Sequence, residues 1–148
     1  MKKELSQKDL DELSFMRDWN WVLADFLVKN DNEFFKQLYQ IISEAFDKKD
    51  LRGMRLIYND NNEMVRGLSL NKLTELNHIL REKFGFDLDK AHDKVLAKIN
   101  LIVQRGYLKN DDEFRMLLSR VDEIYADDSK EKEVEILENL MRDYEKSL

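Results

Sequence analysis

The stretch LRGMRLIYNDNNEMVRGL, residues 51–68, can be read in two ways. Leu51, Met54, Ile57, Tyr58, Met64, Val65 and Leu68 fit a helix crossed by a polar patch at 59–63. Met54, Leu56 and Tyr58 also alternate, with Asp60-Asn61-Asn62 as a turn, which would make a small hairpin over 54–68. The choice decides whether the fold is all-α. A lone two-stranded hairpin is marginally stable, and nothing else in the chain offers a partner strand. The helix reading is preferred.

Composition on either side agrees. Proline is absent and glycine occurs four times in 148 residues. Proline interrupts helices, glycine weakens them, and β-folds need both for their turns. Charged residues make up 38% of the chain, above the ~25% usual in globular domains, and long charged side chains suit exposed helix faces.

Working outward from 51–68, six further segments carry helical periodicity. Ser6 caps a first helix at 7–29, apolar nearly all round in its second half except for a stripe of Ser14, Asp18, Asp25 and Lys29. Asn30 and Glu33 have the spacing of a capping box opening a second helix at 32–48. After Ser69 comes a helix at 70–84 facing inward through Leu73, Leu76 and Leu80, closed by Gly85 as a left-handed cap. Asp87 caps a helix to Arg105, ended by Gly106. Asn110 with Glu113 opens one to about Ala126, and Asp128 with Glu131 opens the last. The expectation is a compact all-α bundle of six or seven helices with short loops, in one domain over 1–148.

Several function classes are disfavoured. Without cysteine there is no disulfide, thiolate ligand or cysteine nucleophile. The N-terminus turns acidic at Glu4 and lacks a signal-peptide core, and no apolar run approaches a membrane span, so a cytoplasmic location is expected. The net charge is −6, divided unevenly: 8 basic and 11 acidic groups in 1–50, 9 and 7 in 51–100, 8 and 13 in 101–148. Such a balance repels a phosphate backbone, so nucleic acid is not an expected partner.

The sharpest candidate chemistry is a pair of carboxylate-x-x-histidine steps, Glu75 with His78 and Asp89 with His92. Each step puts two ligands on one helix face, as in carboxylate-bridged metal sites of helical bundles. The facing counts against it. Glu75 and His78 lie opposite Leu73, Leu76 and Leu80, while His92 lies toward Val95 and Ile99. The glycines are isolated, so there is no phosphate loop, and no serine sits in a nucleophile elbow. No cofactor is expected. Arg105 and Lys109 beside the acids of 111–113 match the charges of helix ends.

The remaining feature is aromatic crowding in the first two helices. Trp19, Trp21, Phe26, Phe34 and Phe35 read either as core or as an interaction surface for a protein partner or a second copy. The sequence therefore points to a small acidic, non-enzymatic protein–protein interaction module, with a homodimer as one expected form. The alternatives are an immunity- or antitoxin-like inhibitor of a basic partner and a metal-dependent helical-bundle enzyme.

Overall fold

The computed structural model describes residues 4–30 and 32–148. The sequence readings that touch Met1, Lys2, Lys3 and Asp31 lie outside them. The described residues form seven α-helices and two short 3-10 turns, with no strand. The chain divides into two compact units, one up to Leu88 and the other Asp89–Leu148.

In the first unit, α1 (Gln7–Asn30) is flanked by α2 (Gln37–Asp47), α3 (Leu51–Val65) and α4 (Leu70–Phe84). Ser6 caps α1 by accepting from the Asp9 amide at 3.1 Å, while Asp9 accepts from the Ser6 amide in return. The capping box at Asn30 and Glu33 does not form. Asn30 stays helical and its amide donates to the Phe26 carbonyl. Asn32 does the capping, accepting from the Phe34 amide at 2.8 Å to start a 3-10 turn, Glu33–Lys36, that leads into α2. Tighter winding there places Phe34 and Phe35 apart on the helix surface.

Residues 51–68 are helix, not hairpin. Asp50 caps α3 by accepting from the Gly53 amide at 2.9 Å. The polar run that resembled a turn is folded inward in part: Asn61 is buried against α1. Leu13, Met16, Ala24, Ile42, Ala45 and Met54 form a continuous core, against which Leu38, Phe46, Leu51 and Ile57 pack. Burying each of the larger side chains, Leu13, Met16, Ile42 and Met54, contributes roughly 1.5–3 kcal/mol. Gly85 closes α4 with φ +81°, as its position after Phe84 predicts. Asn77 of α4 accepts from the Leu88 amide at 3.1 Å, satisfying a free donor at the next helix start.

The second unit contains α5 (Leu88–Arg105, all but its first residue), α6 (Asp111–Ile124) and α7 (Glu131–Ser147). Its core joins Ile99 and Ile102 of α5, Leu117 and Val121 of α6, and Leu137 and Met141 of α7. Contacts fix α6 and α7 as antiparallel. The Phe114 and Tyr144 rings meet at 5.8 Å, Tyr144 donates to Asp111 at 2.6 Å, and near the other end Arg120 donates to Glu133 at 3.0 Å. α6 stops at Ile124, two residues short of expectation. The cap after it is Asp127 rather than Asp128, and it starts a 3-10 turn, Asp128–Lys130, before α7.

Candidate functional site

The five aromatic residues singled out in the first two helices do not share a surface. Trp19 is 0% and Phe26 4% exposed, so both are core. Trp19 packs against Phe15, Tyr58, Phe84 and Phe86, with ring centroids 4.9–5.8 Å away. Its indole N–H donates to Asn62 Oδ1 at 2.7 Å. Burial raises the Tyr58 phenol above its ordinary range, against an opposing hydrogen bond with Asn62. This is a closed cluster of rings with its polar edge satisfied, and it leaves no cage for a ligand.

Trp21 is two residues, about 200° of helix, from Trp19 and therefore faces the other way. It is partly exposed, and the Tyr39 ring lies 4.6 Å from it. Tyr39 donates a short hydrogen bond to Asp25. Burial, this bond and the nearby carboxylate charge push the phenol up to about 12. In the 3-10 turn before α2, Phe35 is half-buried and Phe34 points outward, where it is 67% exposed. Ile41 of α2, seven residues on, is 45% exposed. Tyr39 and Ile41 are themselves about 200° apart, so Trp21 and Ile41 lie on opposite flanks of α2.

The carboxylate-histidine steps separate just as plainly. Glu75 and His78 are exposed on α4. Asp89 is exposed at the start of α5, and His92 is partly buried with Nε2 3.3 Å from Glu123. No group of three or more His, Asp or Glu side chains among the described residues is placed to hold a metal ion.

In the second unit the charges are organised into a chain. Glu123 faces both His92 of α5 and Arg120, whose Nη1 is 3.6 Å from it and whose Nη2 donates to both Glu133 oxygens at 3.0 and 3.2 Å. The Arg120 side chain is only 10% exposed, and its Nε is buried without a hydrogen-bond partner. Farther along, Glu113 accepts from the Lys109 amide at 2.8 Å and from Arg105. Burial alone would raise the Glu113 carboxyl; the Lys109 amide and the Arg105 guanidinium outweigh it and hold the group below the usual range. Arg105 also binds the Tyr107 carbonyl, so this basic-acidic junction is a clasp across the α5–α6 turn.

The pairing of Arg120 and Glu123 with His92 and Glu133 fixes which flank of α6 faces α5. The opposite flank carries Leu118, 42% exposed, and Tyr125, 74% exposed, one heptad apart. The α7 residues Ile136, Leu137 and Glu133 line a shallow groove with Ile99 and Val103 of α5. The α7 flank with Glu131, Val134 and Glu138 therefore points away from α5, to the same side as Leu118 and Tyr125. Asp122, Glu131, Glu135 and Glu138 form no ion pair or hydrogen bond with any described side chain, unlike Glu113, Glu123 and Glu133. This surface had no marker in the sequence beyond the heptad spacing of Leu118 and Tyr125 and the acidity of 101–148.

No family model, curated protein or solved structure matches the chain. No helix among the described residues is long and apolar enough to cross a membrane. The chemistry the surface offers is that of recognition: outward apolar side chains at helical spacing, bordered by uncompensated carboxylates.

Proposed function

We propose that the protein is a non-enzymatic protein–protein interaction module of the cytoplasm. The observation that supports this is the division of its large apolar residues. One set fills the two cores. Eleven others among the described residues are exposed, and four of these pair at a spacing of seven: Phe34, in the 3-10 turn before α2, with Ile41, and Leu118 of α6 with Tyr125 at its C-terminal cap. Scattered exposed apolar groups need no explanation, but pairs aligned along one helix present a strip that another helix can cover. Self-association is the form of this reading in which the partner is a second copy.

A second reading, an acidic inhibitor that masks a basic partner, is favoured by one observation: the unpaired carboxylates beside Leu118 and Tyr125.

Light scattering at two concentrations tests the general reading, on the wild type and on two surface variants, F34S/I41S and L118S/Y125S. Both variants keep their helix content, because the substituted groups are exposed. A dimer, or a complex with a co-purifying protein, that disappears in one variant supports the module. A monomer with no bound protein in all three forms counts against it.

A further inference from the structure

We infer that the α6–α7 face of the second unit is a docking site for a basic amphipathic helix of a partner protein. The inference rests on the interaction-module reading and names its partner by chemistry.

Four observations combine. Leu118 and Tyr125 project from the α6 flank that faces away from α5 and supply an apolar strip two turns long. Val134 of α7, half-buried, lies on the same side and floors a depression lined by Glu131, Glu135, Glu138, Asn139 and Arg142. Because α6 and α7 are antiparallel, Asp122, Tyr125, Glu131 and Glu135 gather at the end nearest their connecting turn. Arg115 and Arg142 lie toward the far end, where Phe114 meets Tyr144, while Lys130 and Lys132 flank Glu131 in sequence at the turn end. Arg142 is engaged with Asn139 at 3.2 Å.

Charge complementarity then selects the occupant. An apolar strip alone accepts many partners. Here the carboxylates at the turn end lack partners, while the acids that face α5 are matched by His92 and Arg120. A docked helix that places leucine-like side chains over Leu118 and Tyr125 and lysine or arginine over Asp122, Glu131 and Glu135 compensates these charges. A second acidic copy of this face would add repulsion instead, which disfavours self-association here. Tyr125, at the turn end of the strip among these carboxylates, is of a residue type enriched at binding hot spots.

The probe is a synthetic amphipathic Leu/Lys helix of roughly 18 residues, long enough to span α6. A Leu/Glu helix of the same pattern is the control. The full-length protein is titrated with each, and backbone amide shifts are mapped by NMR. The Leu/Lys helix is expected to saturate, with shifts on the 118–125 flank of α6 and the 131–138 flank of α7. Y125S should weaken it about tenfold or more, as expected for an aromatic anchor. E131Q/E135Q/E138Q should weaken it and flatten its dependence on salt. The E→Q variants keep every exposed position polar, and unchanged circular dichroism confirms that all variants fold. Shifts on the Phe34–Ile41 flank, equal binding of the Leu/Glu helix, or indifference to Y125S would each overturn the assignment. So would a dimer of the free chain that L118S/Y125S dissolves, since the occupant would then be a second copy. Each of those outcomes leaves the interaction-module reading standing. Only a chain that stays monomeric and binds neither helix on any surface removes both.

Discussion

Asn61 of α3 donates to the side-chain oxygen of Asn20 of α1 at 3.1 Å, with the two residues 4% and 0% exposed. Asn20 donates onward to the Met54 sulfur at 3.6 Å, a weak acceptor. Two amides thus occupy a place where α1 and α3 are otherwise joined by apolar groups. Each is tolerated because the other is there.

The first prediction concerns that pair. Asn61→Leu removes a donor and strands the Asn20 oxygen in the core, and should cost about 1–3 kcal/mol. In N20L/N61L no stranded amide remains, so the double variant should lose less than the two single variants together. Urea unfolding followed by Trp19 fluorescence in a Trp21→Phe background measures all four corners of the cycle. Additive losses would mean that the amides act independently and the contact is incidental.

The second prediction is for alkaline solution. The Tyr39 phenol is held at about 12, against an ordinary 10.0, by burial and by Asp25. The folded state therefore keeps a proton that the unfolded state gives up. The stabilising contribution is complete below pH 10 and is lost as the pH rises from 10 toward 12. Tyr39→Phe has no proton to lose, so its stability should fall less steeply over that window. Unfolding curves at stepped pH, with tyrosinate absorbance on the native protein, check both halves. Parallel slopes for wild type and variant would refute the coupling.

Gly85 gives the third. Its φ is +81°, and a Cβ there would meet nothing within 4 Å. Gly85→Ala should therefore cost only the strain of a left-handed alanine, about 1 kcal/mol. At Gly67 the backbone is not left-handed, and an added Cβ would meet the Met64 carbonyl at 3.3 Å. The penalty there comes from crowding at a helix end, which small adjustments can relieve. Thermal melts of both variants should rank Gly85→Ala as the less stable. The reverse order would mean that the close Met64 carbonyl outweighs backbone strain.

These particulars also show where sequence reasoning reached and where it stopped. Helix ends were legible because their signals are local: Ser6, Ser69 and Asn110 accept from amides three residues on, and Gly85 and Gly106 take left-handed conformations. Residues 51–68 were harder because 59–63 looks like a turn. Helical spacing held the answer, since Met54, Tyr58, Asn61, Asn62 and Val65 fall on one face and bring two asparagines into contact with α1. The aromatic crowding of the first two helices divides between its two readings, Trp19 and Phe26 in the core and Trp21 and Phe34 exposed, because nearness in sequence is not nearness in space. Two residues apart on a helix means opposite sides, and this alone separates Trp19 from Trp21. The α6–α7 face depended on knowing which flank α5 covers. That is set by the tertiary contacts of Arg120 and Glu123, beyond the reach of periodicity.

The last prediction tests how the second unit holds together. Arg120 binds both oxygens of Glu133 yet carries a buried, unpartnered Nε, so it contributes and costs at once. Its partners Glu123 and Glu133 are each about a third exposed and can regain water if it is removed. Arg120→Met should therefore destabilise by about 2 kcal/mol, below the loss expected on breaking a fully buried pair. Arg120→Lys keeps the charge, but one ammonium cannot take the places of both Nη1, beside Glu123, and Nη2, on Glu133, and it should recover only part of that loss. Both tryptophans lie in the first unit, so fluorescence is blind to this change. Hydrogen exchange of the α6 and α7 amides, followed by mass spectrometry, reads it directly. Faster exchange in Arg120→Met, with Arg120→Lys between it and the wild type, is the expected order. Lysine matching the wild type would mean that charge alone, without the guanidinium's two nitrogens, holds α6 to α7.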